Sequence, residues 1–273
     1  MDVALSKYGA WALRAFFALV VVFLYAPIVI LLIFSFNNSE VPSFPLSGFT
    51  LHWYRAFLGN ADLRAALETS AIIATLASIG AVVLGVLASI ALVRRRFRIK
   101  SGVSALLLSP LVIPYVVLGI SLLLLFHTLG MPLSILTVVI GHIVISIPYT
   151  ILVVMPRLQQ IDVSLEEAAY DLGASRLRTF RSITLPLILP AVVSGFLIAF
   201  TTSFDEYAVA SFVVGSRVTF PIYLYSALRF PSQLPQVIAV AVVVLLVSLT
   251  IVVAAEVGRR VAERRVGPLE GTG

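Results

Sequence analysis

The sequence predicts an all-α integral membrane protein with six transmembrane helices, and two observations support this fold class. The first is composition: 60% of the 273 residues are hydrophobic, 12% are charged, and the mean hydropathy is +1.08. Soluble domains are about 45–50% apolar, so this chain has too few polar residues to surround a buried core. The second is that several stretches without Asp, Glu, Lys or Arg are long enough to cross a bilayer, which takes roughly 18 residues or more. These stretches are 15–34, 69–93, 104–126, 132–155, 183–204 and 237–255.

The distribution of basic residues predicts that both termini are cytoplasmic. With that orientation, Arg55, Arg64, Arg217 and Arg229 lie outside and the remaining 15 of the 19 Lys and Arg residues lie in cytoplasmic segments. Such an excess of basic residues is typical of the cytoplasmic side. The net charge of +6 would also suit a nucleic-acid-binding protein, but the runs RRRFRIK and RRVAERR stand at the ends of apolar stretches. We therefore interpret them as topology anchors and expect a lipid bilayer, and no nucleic acid, as the partner.

Several kinds of site are excluded or disfavoured. The chain has no cysteine, which excludes disulfides and thiolate metal sites. His52, His127 and His142 lie in different segments without paired ligand spacing, so no metal site is expected. The first apolar stretch is too long for a signal peptide and no small-residue cleavage site follows it, which indicates a retained span.

Three local patterns refine the membrane domain, which we predict to be one unit over 1–273. The outer loop after the first span contains LHWYRAFL, which favours a short helix at the membrane interface. Small residues that recur every four positions let another helix approach the second span closely, and we interpret them as packing residues. They are Ala77, Ala81, Gly85 and Ser89. Prolines inside the spans break hydrogen bonds and predict kinks. They are Pro27, Pro110, Pro114, Pro148 and Pro190.

The cytoplasmic segment 156–182 contains most of a polar stretch, SLEEAAYDLGASRLRTFRSITLP, that is unusual in so apolar a chain. Ser164 followed by Glu167 matches a capping box and predicts that a helix begins at Ser164. Glu166 and Glu167 then lie at the positive end of the helix dipole. Apolar residues spaced at i, i+3, i+4 and i+7 give this helix one narrow apolar face. They are Leu165, Ala168, Ala169 and Leu172.

The same stretch predicts where this helix ends and a second begins. Gly173 adopts the left-handed C-terminal conformation at low cost, so the first helix should stop there. Ser175 can then cap a second short helix that carries Arg176, Leu177, Phe180 and Ile183. The residues by themselves leave two interpretations open: the first helix docks into a groove of another protein, or the loop packs only on its own spans.

A known motif runs through this stretch. Glu167-Ala168-Ala169, Gly173, Ile183 and Leu185-Pro186 follow the spacing E-A-A-x3-G-x9-I-x-L-P. This resembles the EAA motif of ABC-transporter permeases of binding-protein-dependent importers, and the resemblance covers nearly the whole chain. It implies a type I importer permease fold and a coupling helix within 164–182 that is seated on a cytoplasmic ATPase. The residues that it implicates in ATPase coupling are Ser164, Glu166, Glu167, Ala168, Ala169, Leu172, Gly173, Ile183, Leu185 and Pro186.

The resemblance also implies partners, location and a division of labour. The chain has no G-x-x-x-x-G-K-[ST] sequence, since its only lysines are Lys7 and Lys100. We therefore expect no enzyme activity and no bound cofactor in this chain, with ATP and Mg on a partner subunit. The family implies a bacterial plasma membrane location, a homologous second permease, two ATP-binding subunits and an extracytoplasmic solute-binding protein.

Four residues at the outer end of the fifth span are candidates for the substrate pathway: Phe204, Asp205, Glu206 and Tyr207. Ionisable groups near membrane depth often mark a pathway, and carboxylates beside aromatic rings suit an alkylammonium ligand. Alternatively, the two acids are solvated, cap a helix or pair with Arg217. SFDEY…SFVVG, FPIYLYSALRF and the early YAPIVILLIFSFNNS…FTLHWYRAFL resemble the second permease of spermidine/putrescine importers, a subfamily close to carriers of iron and small organic ions.

Two other classes of membrane protein fit the sequence less well. An ion-coupled secondary transporter would keep titratable groups near mid-bilayer. His142 is the one such group inside the predicted spans, and we interpret it as hydrogen-bonded to a neighbouring helix. A membrane serine hydrolase built on Ser121 and His142 is disfavoured, because no partnered base or oxyanion site accompanies them.

Overall fold

The computed structural model describes residues 7–266, without the side chains of 7, 255, 256 and 258–266. Within this range the chain is helical, and its one β feature is an isolated bridge between Asn37 and Phe49. The all-α prediction is confirmed. The C-terminal tail GPLEGTG lies outside the described residues. The helices are α1 Lys7–Phe34, α2 His52–Gly59, α3 Ala61–Arg94, α4 Lys100–Leu108, α5 Tyr115–Thr128, α6 Ile135–Gln159, α7 Val163–Asp171, α8 Arg176–Thr179, α9 Leu185–Phe204, α10 Ala208–Val213, α11 Phe220–Ala227 and α12 Leu234–Val266.

Five of the predicted spans are helices long and apolar enough to cross a membrane: Tyr8–Phe34, Ala61–Arg94, Ile135–Gln159, Arg176–Phe204 and Pro231–Ala254, counted over the described residues. All five extend beyond the apolar stretch that predicted them at one end or both, because a helix continues where its side chains become polar.

The third predicted span, 104–126, is not one continuous helix. The segments Lys100–Leu111 and Tyr115–Thr128 are bent by 106° relative to each other. Pro110 lies in a 3₁₀ turn at Ser109–Leu111 and Pro114 is the N-cap of α5. Each proline lacks the N–H that would continue the helix ladder, so two prolines four residues apart produce a break where the sequence predicted a kink.

The fifth predicted span begins earlier than 183. The helical stretch Arg176–Phe204 is continuous, and it includes a π-helical turn at Phe180–Thr184. The connection between the two helices is therefore shorter than the predicted cytoplasmic segment 156–182, since α6 continues to Gln159 and α8 begins at Arg176. Pro27, Pro148 and Pro190 lie inside α1, α6 and α9, where kinks stay a prediction.

The described chain divides into two compact units. The first consists of the residues up to Ala61 together with Ser226–Val247, and the second of Asp62–Tyr225 with the residues from Ser248. In the first unit, LHWYRAFL forms α2 as predicted. The Trp53 indole N–H donates to the Asn37 carbonyl at 2.8 Å, and the Tyr54 hydroxyl donates to Ser35 Oγ at 2.7 Å. These bonds fasten α2 to the chain that leaves α1.

Helices α6 and α3 both contribute to each of the two hydrophobic clusters of the second unit. One cluster joins α6 to α3, α5 and α10, and the other joins α6 to α3 and α9. The first contains Ile73, Leu122, Val138, Ile145, Val209 and Val213. The second contains Val86, Val154, Leu158 and Ile188.

The small-residue stripe of α3 packs inside this chain, as the packing interpretation predicted. Ala77, Ala81, Gly85 and Ser89 are all buried. A Cβ atom added at Gly85 would lie 2.6 Å from Thr150 Cγ2 on α6. The contact partner of the stripe is therefore a helix of the same subunit.

Gly85→Ala should destabilise the protein, because its new methyl group overlaps the side chain of Thr150 on α6. Overpacking of this kind costs about 1–3 kcal/mol. Thermal unfolding of the purified protein in lipid nanodiscs would measure the loss. The matched control is Gly102→Ala in α4, where an added Cβ meets nothing within 4 Å. If both variants unfold at the same temperature, the tight α3–α6 contact is wrong.

Candidate functional site: the α7 surface and the carboxylates after α9

Helix α7 begins earlier than the sequence predicted. Its N-cap is Asp162, whose carboxylate accepts a hydrogen bond from the Ser164 backbone N–H at 2.9 Å. The predicted capping box of Ser164 and Glu167 is therefore wrong, because Ser164 lies within the first turn and its amide donates to Asp162. Hydrogen bonding from Ser164 holds the pKa of the exposed Asp162 carboxyl below its usual value, so the anionic form that caps the helix is favoured.

The predicted end of α7 is confirmed. Gly173 has a φ of +83°, its N–H donates to Tyr170 O, and Ala174 N–H donates to Ala169 O, both at 2.9 Å. This is the bond pattern of a helix closed by a left-handed glycine. Ser175 caps α8 as predicted, with its hydroxyl oxygen 3.4 Å from the Arg178 N–H.

The predicted apolar face of α7 lies open. Leu165 is 48% exposed and Leu172 is 89% exposed. Ala168 is exposed and Ala169 is half-buried. The described part of the chain does not cover this face, and the choice between docking and packing on the chain's own spans stays a prediction. Glu167 is exposed as well.

Glu166 points the other way, into the protein. Its carboxylate lies 3.2 Å from Arg94 Nη2 at the end of α3 and accepts a hydrogen bond from the Thr184 hydroxyl at 2.9 Å. The sequence pattern indicates neither partner, and the basic run that contains Arg94 predicts a topology anchor alone. Nothing local in the sequence indicates the pair, because the two residues are 72 positions apart.

The last three motif residues lie where α9 begins. Ile183 and Leu185 are half-buried, and Leu185 packs against the cluster that contains Leu158 and Ile188. Pro186 is exposed in the first turn of α9, directly after the π-helical turn. A proline is tolerated there because the widened turn has already left its backbone position without a regular helical bond.

The two acids after α9 have different environments. Glu206 is buried, and its carboxylate accepts hydrogen bonds from the backbone N–H groups of Val209 at 2.8 Å and Ala210 at 2.9 Å. Glu206 therefore caps α10. Asp205 is exposed at the end of α9. Arg217 forms no ion pair with either acid, in the part of the chain that the structure describes.

His142 links α6 to this cap. Its Nδ1 lies 2.7 Å from Ser203 Oγ on α9, and its Nε2 lies 3.2 Å from Glu206 Oε2. The interpretation of His142 as hydrogen-bonded to a neighbouring helix is confirmed. Among residues 7–266, no three His, Asp or Glu side chains are grouped closely enough to hold a metal ion.

The two aromatic residues that flank Asp205, Phe204 and Tyr207, each contact further aromatic rings. Phe204 lies 5.9 Å from Phe200 and 6.1 Å from Phe220, measured between ring centroids. Tyr207 stacks on Tyr225 at 4.7 Å. Phe204 and Tyr207 are predicted from the sequence but their aromatic neighbours are not, although Phe196, Phe200 and Phe204 recur every four residues on α9.

Long apolar helices, a broken span and one short helix that lies open between two spans are typical of a polytopic membrane protein. The chain belongs to the family of binding-protein-dependent transport system inner membrane components, whose profile matches residues 81–267. The family resemblance inferred from the EAA motif is thereby confirmed. This family consists of transport permeases, and the chain is accordingly an inner-membrane component of a transport system.

Curated relatives cover most of the chain. The putrescine transport system permease protein PotI of Escherichia coli is 40% identical over 231 residues, which is 82% of each chain. The spermidine/putrescine transport system permease protein PotC of Escherichia coli is 38% identical over 242 residues, which is 88% of this chain and 91% of that one. PotC of Haemophilus influenzae is 39% identical over 241 residues, 88% and 93% of the two chains.

Solved structures share the fold at low sequence identity. A bacterial ABC transporter involved in the import of the acidic polysaccharide alginate matches with a TM-score of 0.73 at 16% identity, over 95% of this chain and 98% of that chain. The MetNI methionine ABC transporter matches with a TM-score of 0.58 at 20% identity, over 73% and 95% of the two chains. The chain therefore has the fold of ABC importer permeases.

Glu206→Ala should lower the unfolding temperature, because the amides of Val209 and Ala210 lose their acceptor and His142 loses its partner. Loss of a helix cap costs about 0.5–2 kcal/mol. Asp205→Ala, one residue away and exposed, should leave the unfolding temperature unchanged. Thermal unfolding in nanodiscs compares the two, and an equal effect of both substitutions would contradict the assignment of Glu206 as the cap.

Proposed function

We propose that this chain is one of two homologous permease subunits of an ATP-driven importer for polyamines of the spermidine and putrescine type. Relatives named as putrescine and spermidine/putrescine permeases, at 38–40% identity over most of the chain, support the substrate class. The uncovered apolar face of α7 carries the coupling part of the proposal, since a helix that exposes Leu165 and Leu172 between two spans is built to meet another protein.

Helix α7 is seated in a cleft of a cytoplasmic ATPase subunit, which binds ATP and Mg. Leu165, Ala168 and Leu172 form its apolar contact, and Glu167 pairs with a donor on the ATPase. Gly173 keeps the end of the helix compact, and the helix that begins at Arg176 leads directly from the docked segment into the membrane. Closure of two ATPase subunits shifts the docked helices and changes the direction in which the permease pair opens.

The assembly contains a second, homologous permease, two ATP-binding subunits and an extracytoplasmic solute-binding protein, with both termini of this chain in the cytoplasm. The family description names a binding-protein-dependent system. One structural neighbour, a bacterial alginate ABC transporter, is described in complex with a pentasaccharide-bound periplasmic protein. The basic runs that follow α3 and end α12 support the orientation. The exposed apolar side chains of α1 meet lipid or the second permease.

The polyamine passes Asp205 and the aromatic residues on either side of it. A polyamine is a flexible chain of ammonium and methylene groups, so a carboxylate beside the rings of Phe204 and Tyr207 offers charge pairing and cation–π contact together. Glu206 serves this pathway indirectly, because it holds α10 in place from within the protein.

Asp205→Asn should reduce uptake of radiolabelled spermidine and putrescine in cells that carry the whole transport operon and no other polyamine importer. Loss of one charge-assisted contact of about 1.5–3 kcal/mol predicts a rise of roughly ten-fold or more in the half-saturating concentration. Glu40→Gln, at an exposed acid of the outer loop, is the matched control. Undiminished uptake by Asp205→Asn would remove Asp205 from the pathway. Absence of polyamine uptake by the wild type would overturn the substrate and leave the family assignment intact.

Glu167→Lys and Gly173→Leu should separate ATP hydrolysis from uptake while the chain still inserts into the membrane. Glu167→Lys places a positive charge beside the group on the ATPase that is proposed to donate to Glu167. The second forces a side chain into a left-handed backbone conformation with a φ of +83°, which costs about 1–2 kcal/mol. Gly130→Leu is the control for backbone strain, because Gly130 has a φ of +65° and lies between α5 and α6, away from α7 in the chain. Normal uptake in both test variants would refute the docking assignment.

A further inference from the structure

The carboxylate of Glu166 joins three segments of the protein. Arg94, the last residue of α3, donates from Nη2 to Glu166 Oε1 at 3.2 Å and to the Ile161 carbonyl at 3.3 Å. Thr184, at the end of the π-helical turn, donates its hydroxyl to the same Glu166 oxygen at 2.9 Å. The end of the second span, α7 and the base of α9 therefore meet at one oxygen atom.

Glu166 is also the one buried residue of α7, among the nine residues Val163–Asp171. Short helices are normally held by apolar side chains that pack on a core. In α7 the large apolar side chains at positions 163, 165 and 170 are 44% exposed or more. The polar contact through Glu166 is therefore the main attachment of α7 to the rest of its unit.

Attaching α7 through an ion pair carries a desolvation penalty, because two charged groups must leave water. The side chains of Arg94 and Glu166 are 15% and 11% exposed, so both charges have lost most of their water. A pair of apolar residues would often stabilise a buried site as well or better. An ion pair, in contrast, fixes the orientation of its two side chains and the distance between them. Arg95, the next residue in the basic run after α3, is exposed, so Arg94 alone of the two turns inward.

The π-helical turn supports the same contact. One residue more per turn at Phe180–Thr184 changes the rotation of α8 relative to α9 by about 100° from that of a regular helix. The widened turn ends at Thr184, whose side chain is buried and faces Glu166. The π-helical turn at the N-terminal end of α9 thus lies where α7 is attached.

We infer that Arg94, Glu166 and Thr184 form a positioning latch, which fixes α7 to the inner ends of α3 and α9 so that a displacement of α7 moves both spans. The inference rests on the proposed function, in which an ATPase subunit displaces α7. Glu167 and the apolar face make contact with the ATPase, and the latch transmits the displacement from the opposite side of the same helix.

Uptake and ATP hydrolysis should be measured on the same reconstituted complex, with loaded binding protein, for Glu166→Gln, Arg94→Gln and Thr184→Val. The ratio of polyamine transported to ATP hydrolysed should fall about five-fold or more, in the range of ordinary coupling energies. Thr184→Ser keeps the hydroxyl and Arg95→Gln removes a neighbouring exposed charge, so both should keep the wild-type ratio. A wild-type ratio in Glu166→Gln and Thr184→Val would overturn the latch.

The double variant Arg94→Gln with Glu166→Gln separates positioning from simple stability. Each single substitution leaves one buried charge without its partner and should lower the unfolding temperature, whereas the double variant removes both charges and should recover much of it. The transport ratio should stay low in the double variant, because the directional contact is still absent. Recovery of the ratio together with the unfolding temperature would show that the pair acts only on stability, which overturns the inference.

A distance measurement tests the latch without reference to the transported solute. The chain has no cysteine, so Asp171→Cys and Arg98→Cys give two chosen labelling positions in it, one on α7 and one after α3. In the assembled complex with cysteine-free partners, the spin–spin distance distribution should be narrow, and it should broaden in Glu166→Gln and Thr184→Val but not in Thr184→Ser. An unchanged distribution would overturn the latch. Broadening with a wild-type transport ratio would show that the contact holds α7 without transmitting its displacement, which also overturns the latch. Normal uptake in Glu167→Lys and Gly173→Leu would instead refute the proposed docking of α7.

Discussion

Hydrocarbon offers no hydrogen-bond partner to a peptide group, and this constraint governs how each part of the permease is built. The apolar stretches of the chain are helical because only a helix satisfies its own backbone within one segment. Two buried hydroxyl groups of α3 follow the same rule: Ser78 and Ser89 each donate to the carbonyl four residues earlier. Where the backbone does leave the helix, as at the break between α4 and α5, two prolines have removed the donors in advance.

Close packing of α3, α6 and α9 in the second unit depends on small residues at the helix contacts. Thr150 of α6 meets Gly85 of α3 on one side and Gly195 of α9 on the other. Dispersion contacts between closely approaching helices replace the hydrophobic effect, which does not act between two helices in lipid. Helix α6 is thereby held between α3 and α9, and Glu166 contacts the C-terminal end of α3 and the residue just before α9.

Two buried carboxylates position the short helices at the two ends of this core. Glu206 accepts the first amides of α10 beside His142, and Glu166 attaches α7 to Arg94 and Thr184. In both cases the adjacent acid, Asp205 or Glu167, is exposed and available to another molecule. In each pair, therefore, the buried acid holds a short helix in place and the neighbouring acid is left exposed to solvent.

Local patterns in the sequence were sufficient for the class of fold, the position of most spans, the glycine that ends α7 and the family. Each of these depends on residues a few positions apart, through hydropathy, helix periodicity or the conformational freedom of glycine. The errors were local as well: Asp162 competed successfully with Ser164 for the N-cap, and the prolines broke a span that hydropathy presented as continuous.

Tertiary structure alone decided which charged side chains are buried and which groups they contact. Arg94 and Glu166 are 72 positions apart, and no periodicity links them. Asp205 and Glu206 are neighbours with similar side chains, yet the end of α9 directs one to the surface and the other under α10. A sequence determines which segments must leave water, because that depends on composition over some twenty residues. The pairing of a buried charge depends on how separate helices cross, and only the folded chain brings those helices together.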